Sequence, residues 1–306
     1  MHFLQSEPWE TFQKQLGRTT YRQQGNGWHF LAILEKGKGN TRLYCPYGPE
    51  ATDQASLDSA IAALKQLATQ LKASFIRIEP TSFEFAQHLK NTGWQKVTYQ
   101  SLNPEYTNTI DLSPESDQLI ANMSSSIRNI YRNYHKKLVN IHQSNDPQDI
   151  DIFLKLIHQV SERTGLRPHS DEYFRAQAKS LMPTGAATLW YATVDTLPIA
   201  SALFYDSVDT RYNAHAAASS LPEHRKLKAA TALLAEAILD AKARGLTVFD
   251  MYGVAPIDAP SDHAWAGFSE FKRSFGGSDV HFAGSWDLPM QKLRYQAYRA
   301  YQKLSR

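Results

Sequence analysis

The 306-residue chain has one cysteine, Cys45, which excludes an intramolecular disulfide, a CxxC redox pair and a cysteine-based zinc site. A reducing compartment, the cytoplasm, is the expected location. No apolar run approaches the roughly 18 residues of a membrane-spanning helix, and the opening Met1-His2-Phe3-Leu4-Gln5 passes straight into polar sequence, so neither a span nor a secretory leader is expected. Net charge is small, at +3, which permits a polyanionic partner without demanding one. The 11 histidines show no His-x3-His or HExxH spacing, so no metal site is expected. GxxxxGK[ST] and GxSxG are both missing, which removes support for nucleotide hydrolysis and for a serine-hydrolase elbow. Fifteen glycines and 14 prolines are ordinary usage, so collagen-like and disordered classes fall away. The length suits two domains, each with a core of its own.

What is present is easiest to read in the second half. Val139 to His142 reads as a strand, and Asp146-Pro147 marks a helix start, with Asp as N-cap and Pro at the first helical position. Ile150, Phe153, Ile157 and Val160 recur at helical spacing, predicting a helix over 147–163, and a second is expected over 171–181. Strands follow at Ala187–Val194, Ile199–Tyr205 and Arg211–Ala217. Leu227, Leu234, Ile238 and Ala241 define a long helix ending at Gly245. Val248–Val254 is a strand, Phe268–Phe275 a short helix and Val280–Ala283 a strand. This order resembles that of the acetyl-CoA-dependent N-acetyltransferases, which implies a mixed sheet flanked by helices.

The first half repeats the later part of that plan. Strands at His29–Glu35 and Thr41–Cys45 precede Ser56, an N-cap candidate, and Leu57, Ile61, Leu64 and Leu71 then share one helical face. Phe75–Glu79 is a strand and Phe83–Asn91 a short helix closing at Gly93-Trp94. FIRIEP…LKNTGW and VFDMYGV…FKRSFGG occupy equivalent places, so the chain reads as a domain-scale duplication with a period of about 170 residues, too long for a solenoid. The expected fold is α/β of the mixed α+β kind: two tandem GNAT-like domains, 1–137 and 138–284, with a C-terminal segment 285–306, helical over 289–304, packing back on the first. A further helix is expected from Glu115 to Leu138.

The coenzyme A-dependent enzymes cradle pyrophosphate in R/Q-x-x-G-x-G/A, whose glycines let backbone N–H groups approach the phosphates. Here the window is Arg225-Lys226-Leu227-Lys228-Ala229-Ala230, with Lys228 at the central glycine, and Gly48-Pro49-Glu50-Ala51-Thr52 in the first repeat is no closer. Both halves therefore point to a different acyl donor.

Further motifs lie in order along nearly the whole chain: FLQSEPWETFQ from Phe3, CPYGP from Cys45, FIRIEP from Phe75, NPEYTNTIDLS from Asn103, MSSSIRNIYRNYHKK from Met123, DEYF from Asp171, AHAAASS from Ala214, FDMYGV from Phe249 and FSEFKRSFGG from Phe268. In these the sequence resembles the Fem family of peptidoglycan interpeptide-bridge aminoacyltransferases, in its short form without a coiled-coil arm. The resemblance implies transfer of an amino acid from aminoacyl-tRNA, as co-substrate with no other cofactor, to a stem-peptide amine of UDP-MurNAc-pentapeptide or lipid II. Departures are Tyr47 where many relatives carry Arg, Thr11 where a lysine is expected with Lys14 nearby, and His169 in place of an acceptor-binding Arg. A basic phosphate contact at His169 becomes pH-dependent, or Arg167 supplies it.

That reaction needs a deprotonated amine, ordinarily of pKa about 10.4 for a lysine-like group, and a fixed positive donor for the oxyanion of the tetrahedral intermediate. Lys272 matches the family's catalytic lysine, with Phe271 beside it; read without the resemblance it is a surface lysine on a short amphipathic helix. Acceptor-binding candidates are Arg167, His169, Tyr173, Tyr212, His215 and Phe271. Asp250 and Glu79 read as structural partners, and no general base is assigned. Arg128, Arg132 and Lys136 recur every four residues without acidic partners at i±4, so they form one basic face whose natural counter-ions are phosphates of tRNA or of the acceptor. The last helix adds Lys292, Arg294, Arg299, Lys303 and Arg306, interleaved with Tyr295, Tyr298 and Tyr301, which suits tRNA or peripheral contact with the inner membrane face. Two rival readings stand beside this one: an acyl-CoA-dependent N-acyltransferase, which the Lys228 window disfavours, and a non-catalytic tRNA- or precursor-binding protein, which would not need Lys272.

Overall fold

The computed structural model describes residues 1–37, 39–100 and 102–304, which form two compact units, 1–106 with 281–304 and 107–280; Arg306 lies outside the described residues. In the first unit, α1 (Glu7–Gln15) precedes β1 (Thr19–Gly25), β2 (Trp28–Gly37), β3 (Asn40–Cys45) and β4 (Glu50–Ala51). Then come α2 (Gln54–Gln70), β5 (Phe75–Ile78), α3 (Phe85–Asn91) and β6 (Gln95–Lys96). Asp53 rather than Ser56 is the N-cap of α2: its Oδ1 accepts from the Ser56 N–H at 2.8 Å while Ser56 Oγ accepts from the Asp53 N–H at 3.0 Å. Serine thus supplies the returning half of a capping box, three residues inside the helix. Leu57, Leu64, Phe30, Leu43 and Ile76 make the core between α2 and the sheet.

The second unit begins with β7 (Tyr106–Asp111), α4 (Ser116–Asn122), α5 (Ser125–Asn133) and β8 (Asn140–Ser144). It continues with α6 (Ile150–Thr164), α7 (Asp171–Leu181), β9 (Ala187–Val194), β10 (Leu197–Asp206) and β11 (Thr210–Ala218). α8 (Pro222–Leu227), α9 (Ala229–Ala243), β12 (Val248–Gly253), α10 (Ala266–Arg273) and β13 (Ser278–His281) complete it. The chain then adds β14 (Trp286–Pro289) and α11 (Lys292–Leu304) to the first unit. Leu233, Leu234, Ile238, Phe204 and Phe249 form the core under α9, and the ring of Phe153 on α6 meets that of Phe174 on α7 at 5.0 Å.

Both sheets are mixed. The first runs β1-β2-β3-β5-β14-β6, with β4 on β2, and the second runs β13-β7-β12-β11-β10-β9-β8. The duplication is visible in this order: β14 lies between β5 and β6 as β7 lies between β12 and β13. The boundary expected at 137/138 therefore falls at 106/107. β7 pairs with β12, from Asp111 opposite Val248 to Thr107 opposite Gly253, and Ile127 of α5 joins the core under α9. The expected helix 115–138 is interrupted: Met123 and Ser124 are extended, Ser124 Oγ caps α5, and Tyr134–Lys137 is a tighter 3-10 turn. α1 and β1 carry no clean apolar period, and the strand signal began only at His29.

Candidate active site

β11 and β12 are parallel, but their pairing covers only Thr210–Tyr212 with Val248–Asp250. Beyond it β11 runs on to Ala218 and β12 to Gly253 with no shared ladder, so the two strands part at their C-terminal ends, where ligands bind in open α/β sheets. β12 does not run through Val254 as expected but ends at Gly253. Its register with β7 slips between Asp250 and Gly253, and Tyr252 takes a left-handed φ of +63°. Such a conformation costs a bulky residue about 1–2 kcal/mol and is held only by its surroundings. The clamp here is Asp250, whose Oδ1 accepts from the Tyr252 N–H at 2.7 Å and from the Thr107 hydroxyl.

The bulge presents the Gly253 carbonyl to α10, where Lys272 Nζ donates to it at 2.8 Å. Lys272 is 3% exposed, not the surface lysine of a solvated helix, and its ammonium lies 4.1 Å from the centre of the Phe268 ring. Burial pushes its pKa down to about 7, opposed by the charge of Asp250. Burial in turn raises Asp250 to about 6, against its hydrogen bonds and the Lys272 charge. Ser269 Oγ accepts from the Ala255 N–H at 2.7 Å, and Arg273 donates to the Ala255 carbonyl at 2.6 Å and to Asp279 at 2.9 Å. Three side chains of α10 thus grip residues 253–255. The turn that follows needs glycine: Gly277 has φ +84°, and a Cβ there would collide with the Thr109 carbonyl of β7.

The second unit also holds an aromatic cluster containing several expected acceptor-binding residues. His169 stacks on Tyr173 at 4.2 Å, His215 meets the Phe174 ring at 5.1 Å, and His215 Nε2 lies 3.1 Å from the Tyr205 hydroxyl. Burial, with His169 nearby, lowers His215 to about 3, so it stays neutral at physiological pH. Tyr212 sits beside Asp250 in the ladder and is buried, and burial with that carboxylate raises its phenol. Phe271 is elsewhere: it lines a cavity of about 600 Å³ with Ile199, Ser219, His224, Lys228 and Thr231. Lys228 adopts φ +60°, in the left-handed region that favours glycine, while its side chain is exposed at that cavity. Arg167 is exposed in the α6–α7 loop and joins none of these groups.

The basic face is rearranged. Arg128 Nη1 donates to the Ala121 carbonyl at 2.9 Å and to that of Met123, closing the end of α4 rather than facing solvent phosphate. Arg132 and Lys136 are exposed, but Lys136 lies in the 3-10 turn and leaves the four-residue period. In the first unit, Tyr47 is buried, with its hydroxyl donating to the Pro104 carbonyl at 3.0 Å, and Lys14 pairs with Glu10 at 2.9 Å. Glu79 accepts from Tyr44 and Asn103, both at 2.7 Å, and from Ser285 at 2.5 Å. The clamp of Asp250 on Tyr252 and the role of Gly253 were not foreseen; the only sequence signal was Tyr-Gly inside a strand.

A model of the FemAB family matches residues 1–195 and 184–303. The chain belongs to the FemAB family. This membership supports a transferase role in peptidoglycan bridge formation. No curated protein sequence matches the chain. Among solved structures, FemX superposes with a TM-score of 0.86 at 17% identity, covering 97% of this chain and 94% of that one. L-PGS from Bacillus licheniformis gives 0.60 at 13% identity, covering 97% and 95%. A tandem GNAT protein from the clavulanic acid biosynthesis pathway gives 0.51 at 12% identity, covering 86% and 79%. At these identities the likeness is one of fold, that of two tandem GNAT-like domains.

Proposed function

We propose that this FemAB chain is a cytoplasmic, tRNA-dependent aminoacyltransferase that adds an amino acid to the stem peptide of a peptidoglycan precursor, UDP-MurNAc-pentapeptide or lipid II. The observation that carries the reading is Lys272, a buried ammonium held on a backbone carbonyl where the two parallel strands part. In the reaction the neutral acceptor amine attacks the ester carbonyl of aminoacyl-tRNA, forming the C–N bond and an oxyanion. Collapse of that intermediate breaks the bond to the terminal ribose oxygen, which takes up the proton lost by the amine. Lys272 supplies positive charge to the oxyanion in a water-poor setting, where such a donor is worth most. Aminoacyl-tRNA is the co-substrate and no further cofactor takes part. His169, Tyr173, Tyr212 and His215 serve the acceptor, with Phe271 at the neighbouring cavity and Arg167 at the loop above. Arg132 and Lys136 offer phosphate contacts, and Arg128 orders the helix that carries Arg132.

The test mixes purified protein with radiolabelled aminoacyl-tRNAs and either acceptor, comparing wild type with Lys272→Met, whose folding is checked by thermal melting. Label passing to the acceptor, and falling on the order of 10²–10³-fold in the variant, is the expected result. Transfer that survives the substitution removes Lys272 from the chemistry. Acylation of an amine from acetyl-CoA, with no transfer from any aminoacyl-tRNA, replaces the donor.

A further inference from the structure

α11 has two faces of different character. Its inner face is packed: Tyr295 is buried and meets the Phe75 ring at 5.2 Å, and Tyr298 meets it at 4.9 Å. The opposite face carries Leu293, Ala297, Ala300 and Leu304 at positions i, i+4, i+7 and i+11, so they form one stripe along the helix. All four are exposed, the leucines at 83% and 87%, and no described residue of the first unit covers them. Lys292 and Lys303 flank the stripe on one side, and Arg294 with Tyr301, 64% exposed, flanks it on the other. From Pro289 to Leu304 the sequence contains no aspartate or glutamate. Lys292, Arg299 and Lys303 also line a groove of about 660 Å³, whose other wall includes Gly93, Leu288 and Pro289.

We propose that the outward face of α11 is a peripheral docking surface for an anionic lipid bilayer. An apolar stripe edged by cations, on a helix too short and too polar to span, is the pattern of a helix lying in the bilayer interface. The leucines, about 16 Å apart along the axis, enter the acyl boundary, and the flanking cations meet lipid phosphates in the groove and beside it. RNA satisfies the cations but leaves both leucines in water. A second copy covers the leucines but sets cationic edges against each other. Only an anionic, apolar-cored surface answers both halves of the face. The proposal is independent of the transfer reaction, and it places this chain at the surface where a lipid-linked substrate is held.

Flotation of the full chain with vesicles tests it. Vesicles of pure phosphatidylcholine are compared with equimolar phosphatidylcholine and phosphatidylglycerol, for wild type, L293S/L304S and K292Q/K303Q, with melting curves to confirm folding. Wild type is expected on the anionic vesicles alone and to dissociate as salt is raised. L293S/L304S is expected to lose binding, and K292Q/K303Q to weaken it roughly 25-fold, about fivefold per cation. Transfer to the soluble UDP-linked acceptor, measured without vesicles, should be the same in wild type and L293S/L304S, so failure of the transfer reading leaves this test intact. Absence of wild-type binding, equal binding to neutral vesicles, or binding that survives both double variants overturns the proposal. So does affinity for bulk tRNA that falls in the variants while no vesicle binding is found.

Discussion

At Lys272 two opposing demands meet in one side chain. The site is buried enough to strengthen an electrostatic interaction with an oxyanion, and the same burial pushes the ammonium down to about pKa 7. Loss of the cation as pH rises past that value gives the transfer rate an alkaline limb. Asp250 counters the loss, because its negative charge favours the charged lysine. Asp250→Asn keeps an acceptor for the Tyr252 N–H but removes the charge, so Lys272 should lose its proton at lower pH. The expected outcome is an alkaline limb displaced toward acid in a pH–rate profile, with binding of the acceptor little changed; an unmoved limb would show that Asp250 acts through shape alone. Sequence reasoning reached Lys272 through the motif around it, since spacing alone could not tell a buried lysine from a surface one. Arg128 shows the reverse case: it shares α5 with Arg132 as the spacing predicts, yet two backbone carbonyls take the guanidinium.

At the scale of elements, α6, α7 and β9–β11 were legible because apolar period, capping residues and turn residues agreed there. Disagreement arose where a local rule was broken for a tertiary reason, as at the β12 bulge and at Met123-Ser124. The insertion of β14 was illegible, because Trp286–Pro289 is short and its partners lie some two hundred residues away. Its anchor is Asp287, which receives Arg77 at 2.7 and 2.8 Å, Tyr99 at 2.8 Å and Tyr295 at 3.1 Å, with Arg77 and Asp287 fully buried. Removing one partner of such a pair leaves an uncompensated charge. Asp287→Ala should therefore destabilise the first unit by about 3–5 kcal/mol, whereas the double change Arg77→Met with Asp287→Leu should recover much of that loss. Denaturant unfolding of the three proteins checks this; equal losses in single and double variants would mean that packing, not charge, holds β14.

For the whole molecule, the duplication was legible in two matching stretches of sequence, but the exchange of strands that follows each stretch was not. β7 follows β6 of the first unit and belongs to the second; β14 follows β13 of the second and belongs to the first. A cut placed by sequence at 137/138 would divide the second sheet. A chain ending at residue 284 should keep the second unit folded while the first, lacking β14, exchanges its amide hydrogens freely. Protection of both units in that truncated chain would show that β14 is dispensable.

The place of β14 also governs the order in which the protein becomes complete. Arg77 and Asp287 are 210 residues apart, so at 5–20 residues per second the ribosome needs roughly 10 to 40 seconds to supply the partner of a strand it has already released. During that interval β5 has an open edge and an unneutralised arginine, and by its end every strand of the second sheet has been made. The domain synthesised first is finished last. Nascent chains of this protein therefore present a half-built sheet to whatever chaperones attend the ribosome, until the final strand slides into its interior.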